Sequence, residues 1–188
     1  MASFDIAFER TMGFEGFYSL DPDDPGGETF RGISRNAHPD WEGWLFVNAA
    51  KELPNFPNNL KNHNELNAAV AKFYSGIWER TGCDLMEEQT LADSVFDTAV
   101  NLGEPTAIKM LQTALNALSR NGTLWDFLSV DGVAGAKTRA TIQAANKHHV
   151  YISQIIGSKR DIHYTQLVEK RPVMSKYLRG WLKRRSSP

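Results

Sequence analysis

Apolar residues recur at helical spacing in the first part of the chain. Phe4, Ala7, Phe8 and Thr11 lie at positions i, i+3, i+4 and i+7, which predicts an amphipathic helix over residues 3–14. The pattern changes in residues 15–33, EGFYSLDPDDPGGETFRGI, where prolines and glycines interrupt alternating polar and aromatic side chains. Because Pro and Gly at this density disfavour helix, we expect a loop followed by short strands or a hairpin through Ile33.

Helical spacing returns in the second third of the chain and continues almost to its end. Residues 41–64, with two prolines and many asparagines, are predicted to be irregular. Further helices are predicted over 64–77, 91–102, 105–118, a segment ending near 146, 150–168, and a short segment after Pro172. The sequence therefore predicts a mostly α (α+β) chain with one small β element near its N-terminus.

Length, charge and the distribution of apolar residues limit the size of the fold and the partners and compartments that we expect. A chain of 188 residues can form one sizeable core or two small lobes, and its net charge of -1 gives no general attraction for nucleic acid. The first residues, MASFDIAFER, lack the basic and apolar regions of a secretory signal, and no apolar run approaches about 20 residues. We therefore expect synthesis in the bacterial cytoplasm, without stable membrane insertion and with delivery by another system.

Metal sites and cofactors are not expected. Cys83 is the only cysteine, so it cannot form an intramolecular disulfide, and we expect a small semi-apolar residue there. The five histidines have no ligand spacing. Asp21, Asp23 and Asp24 faintly resemble a calcium loop, but the twelfth position, which needs a bidentate Glu, is Gly32.

Three polar side chains in residues 15–33 form a candidate catalytic set: Glu15, Asp24 and Thr29. Glu15 follows the first helix directly between Phe14 and Phe17, and apolar surroundings favour a protonated carboxyl that can act as a general acid. Asp24 can stabilise oxocarbenium-like charge or activate a water, and a Thr hydroxyl can position that water. Taken without context, however, a Glu at a helix end is more often a solvated residue.

The order of these residues resembles the Glu-Asp-Thr triad of phage-type lysozymes. More specifically, the segment resembles the signature of glycoside hydrolase family 108, in which E-G-G-Y precedes D-x-G-G-x-T and G-I. The matching residues are Glu15-Gly16, Tyr18, Asp24, Gly26-Gly27, Thr29 and Gly32-Ile33, with Phe17 in place of the second glycine. The resemblance implies a lysozyme-like fold of two lobes with a sugar cleft between them. It also implies Glu15 as the acid, Asp24 and Thr29 as the water-handling residues, and an inverting reaction.

Shorter motifs in the second half resemble the peptidoglycan-binding module of the same family. They are NLG after Asp97, LQ and ALN in 111–116, DGxxGxxT in 131–138 and GWL in 180–182. We therefore divide the chain into a catalytic part, 1–90, and a helical peptidoglycan-binding-like part, 91–188, packed together as one globular unit. Tyr18, by its motif position beside the cleft, and Asp97 and Asn101, one helical turn apart, are candidate substrate-binding residues. Asp97 and Asn101 fit plain surface polar residues equally well.

The resemblance implies a muramidase that hydrolyses the β-1,4 bond between N-acetylmuramic acid and N-acetylglucosamine in peptidoglycan. A monomeric endolysin that a holin or a secretion system delivers to the periplasm fits this activity, and its partner is the glycan strand. The alternatives are a non-catalytic peptidoglycan-binding protein, an enzyme for another glycan such as chitin, and an injected cell-wall effector.

The end of the chain is basic and amphipathic. Met174, Tyr177, Leu178 and Trp181 share one helical face, among Lys176, Arg179, Lys183, Arg184 and Arg185. We expect this face to close the core while the cations stay solvated. A sharper alternative is that the cations also attract the chain to anionic wall or lipid.

Overall fold

The computed structural model of the protein describes residues 1–21 and 26–186. The chain forms two compact units, one of Phe8–Gly76 and one of Met1–Ala7 together with Ile77–Pro188. Helices dominate the described residues, and a three-stranded antiparallel sheet lies near the N-terminus. The predicted fold class, mostly α with one small N-terminal β element, is confirmed.

The sheet belongs to the Phe8–Gly76 unit. Its strands are β1 (Tyr18–Leu20), β2 (Glu28–Phe30) and β3 (Ile33–Ser34), paired antiparallel in the order β1-β2-β3. Phe30 pairs with Tyr18 on one side and with Ile33 on the other. Because neighbours in register share a face of the sheet, one face carries the buried residues Phe30 and Ile33. The short strands predicted through Ile33 are confirmed, and the last of them extends to Ser34.

The prediction of an irregular tract over 41–64 is wrong in part. Helix α2 spans Gly43–Lys51, and a single 3-10 turn spans Asn58–Leu60. Trp44, Val47 and Ala50 recur every three residues on α2 and are all buried, so this short helix is stabilised by packing of one stripe. The prolines that suggested irregular structure lie beyond the end of α2.

Aromatic rings form much of the core of this unit. The Phe30 ring contacts the rings of Phe17 and Trp41, with centroids 5.3 and 6.4 Å apart. Trp41 in turn meets Trp44 edge to face at 5.1 Å. Helix α3 (Asn64–Arg80) adds Phe73 and Tyr74 to the packed rings. The aromatic residues around the sheet are therefore mainly core residues.

The second unit is helical. Helix α1 (Phe4–Met12) contributes Phe4, whose ring packs edge to face with those of Trp78 and Phe96 at 6.0 Å each. The longer helices are α4 (Gln89–Leu102), α5 (Glu104–Ala117), α6 (Ala136–Ala145), α7 (His149–Lys170) and α8 (Ser175–Ser186). Single 3-10 turns span Cys83–Leu85, Asn146–His148 and Pro172–Met174. Helices α4, α5 and α7 pack against one another, and α8 packs on α7. Among the described residues, no helix combines the length and the apolar character needed to span a bilayer.

Candidate active site

Glu15 lies in a tight turn at the end of α1. The Phe14 amide donates to the Thr11 carbonyl at 3.1 Å, and the Glu15 amide donates to the Met12 carbonyl at 3.3 Å. These bonds close the last turn of the helix and lead the chain away from it at Glu15. The side chain of Glu15 is half-buried. Its position is therefore set by the helix end and by what packs around its carboxyl group.

The carboxyl group of Glu15 packs against the backbone of Gly32. A methyl group on Gly32 would stand 2.7 Å from Glu15 Oε2 and also 2.7 Å from the hydroxyl of Tyr74. Gly32 has a φ of +81°, in the left-handed region that side chains other than hydrogen disfavour. Only glycine lets the backbone approach both groups this closely. Gly32 thus brings together the end of α1, the β2–β3 turn and α3.

The β2–β3 turn is a two-residue hairpin turn made of Arg31 and Gly32. Both residues have positive φ, +45° and +81°, as expected for a turn that matches the twist of the strands. The Arg31 amide donates to the Phe17 carbonyl at 2.9 Å. The buried Tyr74 hydroxyl donates to the Arg31 carbonyl at 2.7 Å. These two bonds hold the turn that contacts Glu15.

Tyr74 did not stand out in the sequence. It lies in the middle of an amphipathic helix, 43 residues from Arg31, and its ring packs against those of Phe8 and Phe73. Neither its spacing nor its neighbours separate it from an ordinary core aromatic residue. The signal for its role is the fixed contact of its hydroxyl with the Arg31–Gly32 turn, and only tertiary structure shows that contact.

Thr29 lies at the middle of β2, in the hairpin whose turn meets Glu15. In register it pairs with Ser19 on β1 and with Ser34 on β3, so three hydroxyl side chains form a row across one face of the sheet. Thr29 Oγ1 donates to the Gly27 carbonyl at 3.3 Å. Asp24, the second predicted carboxylate, lies outside the described residues. The catalytic roles of Glu15, Asp24 and Thr29 therefore stay predictions.

A second carboxylate, Glu28, is the centre of an ionic cluster that sequence reasoning missed. It is only 8% exposed, and it binds Arg35 Nε at 2.7 Å and Lys51 Nζ at 2.8 Å. Burial by itself would raise the pKa of Glu28, but the hydrogen bonds from Lys51 and Arg35 outweigh it and hold the pKa below its ordinary value. The Arg35 guanidinium also lies over the Trp44 ring, 4.1 Å from its centroid. The cluster fixes the start of β2, the strand that carries Thr29.

Tyr18, a predicted substrate-binding residue, is part of the same cluster. Its hydroxyl donates to Glu28 Oε1 at 3.1 Å, and its ring meets that of Phe56 edge to face at 4.8 Å. Burial, and next the charge of Glu28, raise the pKa of Tyr18 to about 12, so the phenol stays protonated at neutral pH. A role for Tyr18 on substrate stays a prediction.

Asp97 and Asn101, the other predicted substrate-binding residues, lie on α4 in the helical unit. Asp97 accepts hydrogen bonds from Arg160 Nη2 and Arg184 Nε, each at 2.7 Å, and both arginines are buried. Asn101 Oδ1 accepts from the Tyr164 hydroxyl at 2.7 Å. A sugar contact from either residue would compete with these bonds, and such a role stays a prediction. The expectation that the C-terminal cations are solvated is wrong for Arg184.

The described part of the chain holds no cluster of three His, Cys, Asp or Glu side chains that could bind a metal ion. Cys83 is fully buried, and burial raises the pKa of its thiol to about 12. It is a protonated core residue, as its sequence context predicted.

Comparison with known proteins finds two family models and a solved structure that are similar to this chain. The family model described as Glycosyl hydrolase 108 matches residues 8–103, and the one described as Predicted Peptidoglycan domain matches residues 106–186. A solved structure of SagA from Brucella abortus is similar over 97% of this chain and 89% of that chain, with a TM-score of 0.60 and 24% identity. A comparison with curated proteins gave no match.

The first family model spans half of the chain and contains Glu15, the Arg31–Gly32 turn and Tyr74. It supports glycoside hydrolase activity on peptidoglycan, and the second model supports peptidoglycan as the partner. The lysozyme-like fold class predicted from the sequence is confirmed. By this match the chain belongs to the glycosyl hydrolase 108 family.

Proposed function

We propose that the protein is a muramidase that hydrolyses the β-1,4 bond between N-acetylmuramic acid and N-acetylglucosamine, with Glu15 as the general acid. The observation that carries the proposal is the packing of the Glu15 carboxyl against Gly32, beside the Tyr74 hydroxyl. A general acid must be held within hydrogen-bond reach of the leaving oxygen, and the confinement of the Glu15 carboxyl group supports such a role.

In the proposed reaction the Glu15 proton passes to the glycosidic oxygen as the bond between that oxygen and the anomeric carbon breaks. A water attacks the anomeric carbon from the opposite face of the sugar and gives its proton to Asp24. Thr29 already donates to the Gly27 carbonyl, so its oxygen can accept a hydrogen bond from that water. Attack from the opposite face inverts the anomeric configuration.

Glu15→Gln tests the acid. We expect the release of reducing ends from purified peptidoglycan to fall roughly 100- to 10,000-fold, because the amide keeps the shape of the side chain but cannot donate the proton. Glu9→Gln, which changes an exposed carboxylate on α1, is the matched control and should keep the wild-type rate. Circular dichroism checks that both variants are folded, and a folded Glu15→Gln variant with substantial activity would exclude this assignment.

The products distinguish the proposed reaction from related ones. Hydrolysis at muramic acid leaves a reducing muramic acid end. A lytic transglycosylase leaves the 1,6-anhydro sugar, and a glucosaminidase leaves a glucosamine end. Mass spectra of the digest therefore test both the bond and the use of water.

A non-catalytic peptidoglycan-binding protein is the second candidate, and the match of residues 106–186 to a peptidoglycan domain favours it. It predicts co-sedimentation of the wild type with peptidoglycan and no release of reducing ends.

For the biological setting we propose an endolysin, made as a monomer in the cytoplasm and carried to the periplasm by a holin or a secretion system. Expression in a Gram-negative host with and without a holin tests the delivery step, because lysis should depend on the holin.

A further inference from the structure

An open groove of about 310 Å³ runs between α5 and α7 in the helical unit. Each helix contributes four residues at positions i, i+3, i+4 and i+7, which is the spacing of one helical face. The lining residues are Thr106, Lys109, Met110 and Thr113 from α5, and Lys159, Ile162, His163 and Gln166 from α7. All eight lie within the residues that match the peptidoglycan domain.

The groove is cationic. Lys109 is exposed, Lys159 is half-buried, and the lining contains no carboxylate. Within the described part of the chain, neither ammonium group belongs to an ion pair. Asp131 lies close enough to Lys109 to feel its charge, but its carboxylate already accepts hydrogen bonds from Gln112 and from the Val133 amide. An anionic ligand in the groove would therefore meet two lysines that form no ion pair within the described residues, with the Asp131 charge close to Lys109 only.

The other lining groups suit a short peptide better than a sugar ring. Met110 and Ile162 present apolar surface, and Thr106 and Gln166 supply polar groups along the edges. Thr113 Oγ1 donates to the Lys109 carbonyl at 2.7 Å, so its oxygen can still accept from a peptide N–H. Sugar faces are commonly held on aromatic rings, and the only ring in the lining is His163, which packs against Tyr164.

We propose that this groove binds the peptide stems of peptidoglycan, with Lys109 and Lys159 pairing with their free carboxylates. This proposal rests on the proposed function, which supplies peptidoglycan as the substrate. It adds that the helical unit binds the peptide stems of that substrate. The stems are attached covalently to muramic acid. Binding of the stems would therefore hold a glycan strand on the protein independently of the hydrolytic step.

The test is sedimentation with two forms of peptidoglycan, intact and stripped of stems by an amidase. The variant is Lys109→Gln with Lys159→Gln, in a Glu15→Gln background that leaves the substrate uncut. The control is Lys137→Gln with Lys147→Gln, which removes two exposed cations from the same unit. We expect the groove variant to bind intact peptidoglycan roughly tenfold more weakly at low salt, because two partly solvated charge pairs are lost. Stripped glycan should bind both variants like the parent protein, and free stem peptides released by the amidase should compete with intact peptidoglycan.

Three results would overturn the proposal: unchanged binding of the groove variant, an equal loss on stripped glycan, or an equal loss in the control variant. The outcome is separate from that of the proposed function. If the protein with wild-type Glu15 releases no reducing ends, the muramidase proposal is rejected. Binding of the peptide stems can still be measured in that case. If the groove variant binds intact peptidoglycan like its parent, the groove proposal fails, while the release of reducing ends by the protein that retains Glu15 can still be measured.

Discussion

At the scale of single residues, the site depends on the absence of a side chain at Gly32. The Glu15 carboxyl and the Tyr74 hydroxyl both occupy space next to the Gly32 α-carbon, which any other residue would fill. The turn also needs a left-handed backbone at that point. The glycine in the family motif is thus explained by two physical constraints that act on the same atom.

We expect Gly32→Ala to impair both activity and stability. The added methyl group must displace Glu15 Oε2 or the Tyr74 hydroxyl, each 2.7 Å away, and the positive φ adds about 1–2 kcal/mol of strain. Hydrolysis should fall at least tenfold, while the free energy of unfolding falls by only a few kcal/mol. Gly135→Ala is the control, since no atom lies within 4 Å of its added methyl group. Wild-type hydrolysis by Gly32→Ala would show that the position of Glu15 is not critical.

At the scale of secondary-structure elements, β2 is held by the ionic cluster around Glu28. Of its three residues, Glu28 and Phe30 are buried, and Thr29 between them is half-buried. A charged residue at a buried strand position is stable only when partners satisfy it, and Arg35, Lys51 and Tyr18 do so. Thr29 therefore lies between Glu28, which ion pairs hold in place, and Phe30, which apolar packing holds in place.

Glu28→Gln should lower the free energy of unfolding by about 2 kcal/mol at neutral pH, because two cations lose their partner. The pKa of Glu28 is lower in the folded state than its ordinary 4.5. The carboxylate therefore stabilises the fold above about pH 4.5, and this contribution is lost as the pH falls through the lower, folded-state pKa. Chemical unfolding across this range should show the wild type and the variant converging in acid.

Glu104→Gln is the matched control for the ionic cluster. Glu104 pairs with Arg80 at 2.8 Å, but the Arg80 side chain is 57% exposed, so the pair contributes at most about 1 kcal/mol. An effect of Glu28→Gln no larger than that of Glu104→Gln, or a difference from wild type that persists in acid, would contradict this account of β2.

At the scale of the whole molecule, the family boundaries and the compact units do not coincide. The glycosyl hydrolase match ends at residue 103, after α4, whereas the compact unit that contains Glu15 ends at Gly76. Helix α4 packs with α5 and α7, and its Asp97 is bound by Arg160 of α7 and Arg184 of α8. The last part of the hydrolase match thus folds with the residues that match the peptidoglycan domain. A functional division at residue 90 stays a prediction.

Arg179 and Arg184, both on α8, should respond differently to neutralisation. Arg184→Gln removes a buried cation from Asp97 and should lower the free energy of unfolding by about 2–3 kcal/mol. Arg179→Gln, at an exposed position on the same helix, should change it by less than about 0.5 kcal/mol. Thermal or chemical unfolding of the two variants measures the difference, and equal stabilities would show that the Asp97–Arg184 pair contributes nothing to the fold.

The sequence by itself determined the features that depend on local order. Helical spacing, prolines and glycines placed most of the helices and the N-terminal hairpin, because propensity and capping act over a few residues. The fixed sequence order of the carboxylates, glycines and threonine in residues 15–33 identified the family. It also indicated Glu15 as the candidate acid. Helix α2 was missed because its stripe of three buried residues is too short to outweigh nearby prolines.

Only the tertiary structure decided which side chains meet. Tyr74 is 43 residues from the carbonyl it binds, and Asp97 is 63 and 87 residues from its two arginines. Glu28 has the composition of a surface residue, yet packing buries it and supplies two cations. Contacts between distant segments are set by how helices and strands pack, and no short-range pattern of polar and apolar residues encodes them.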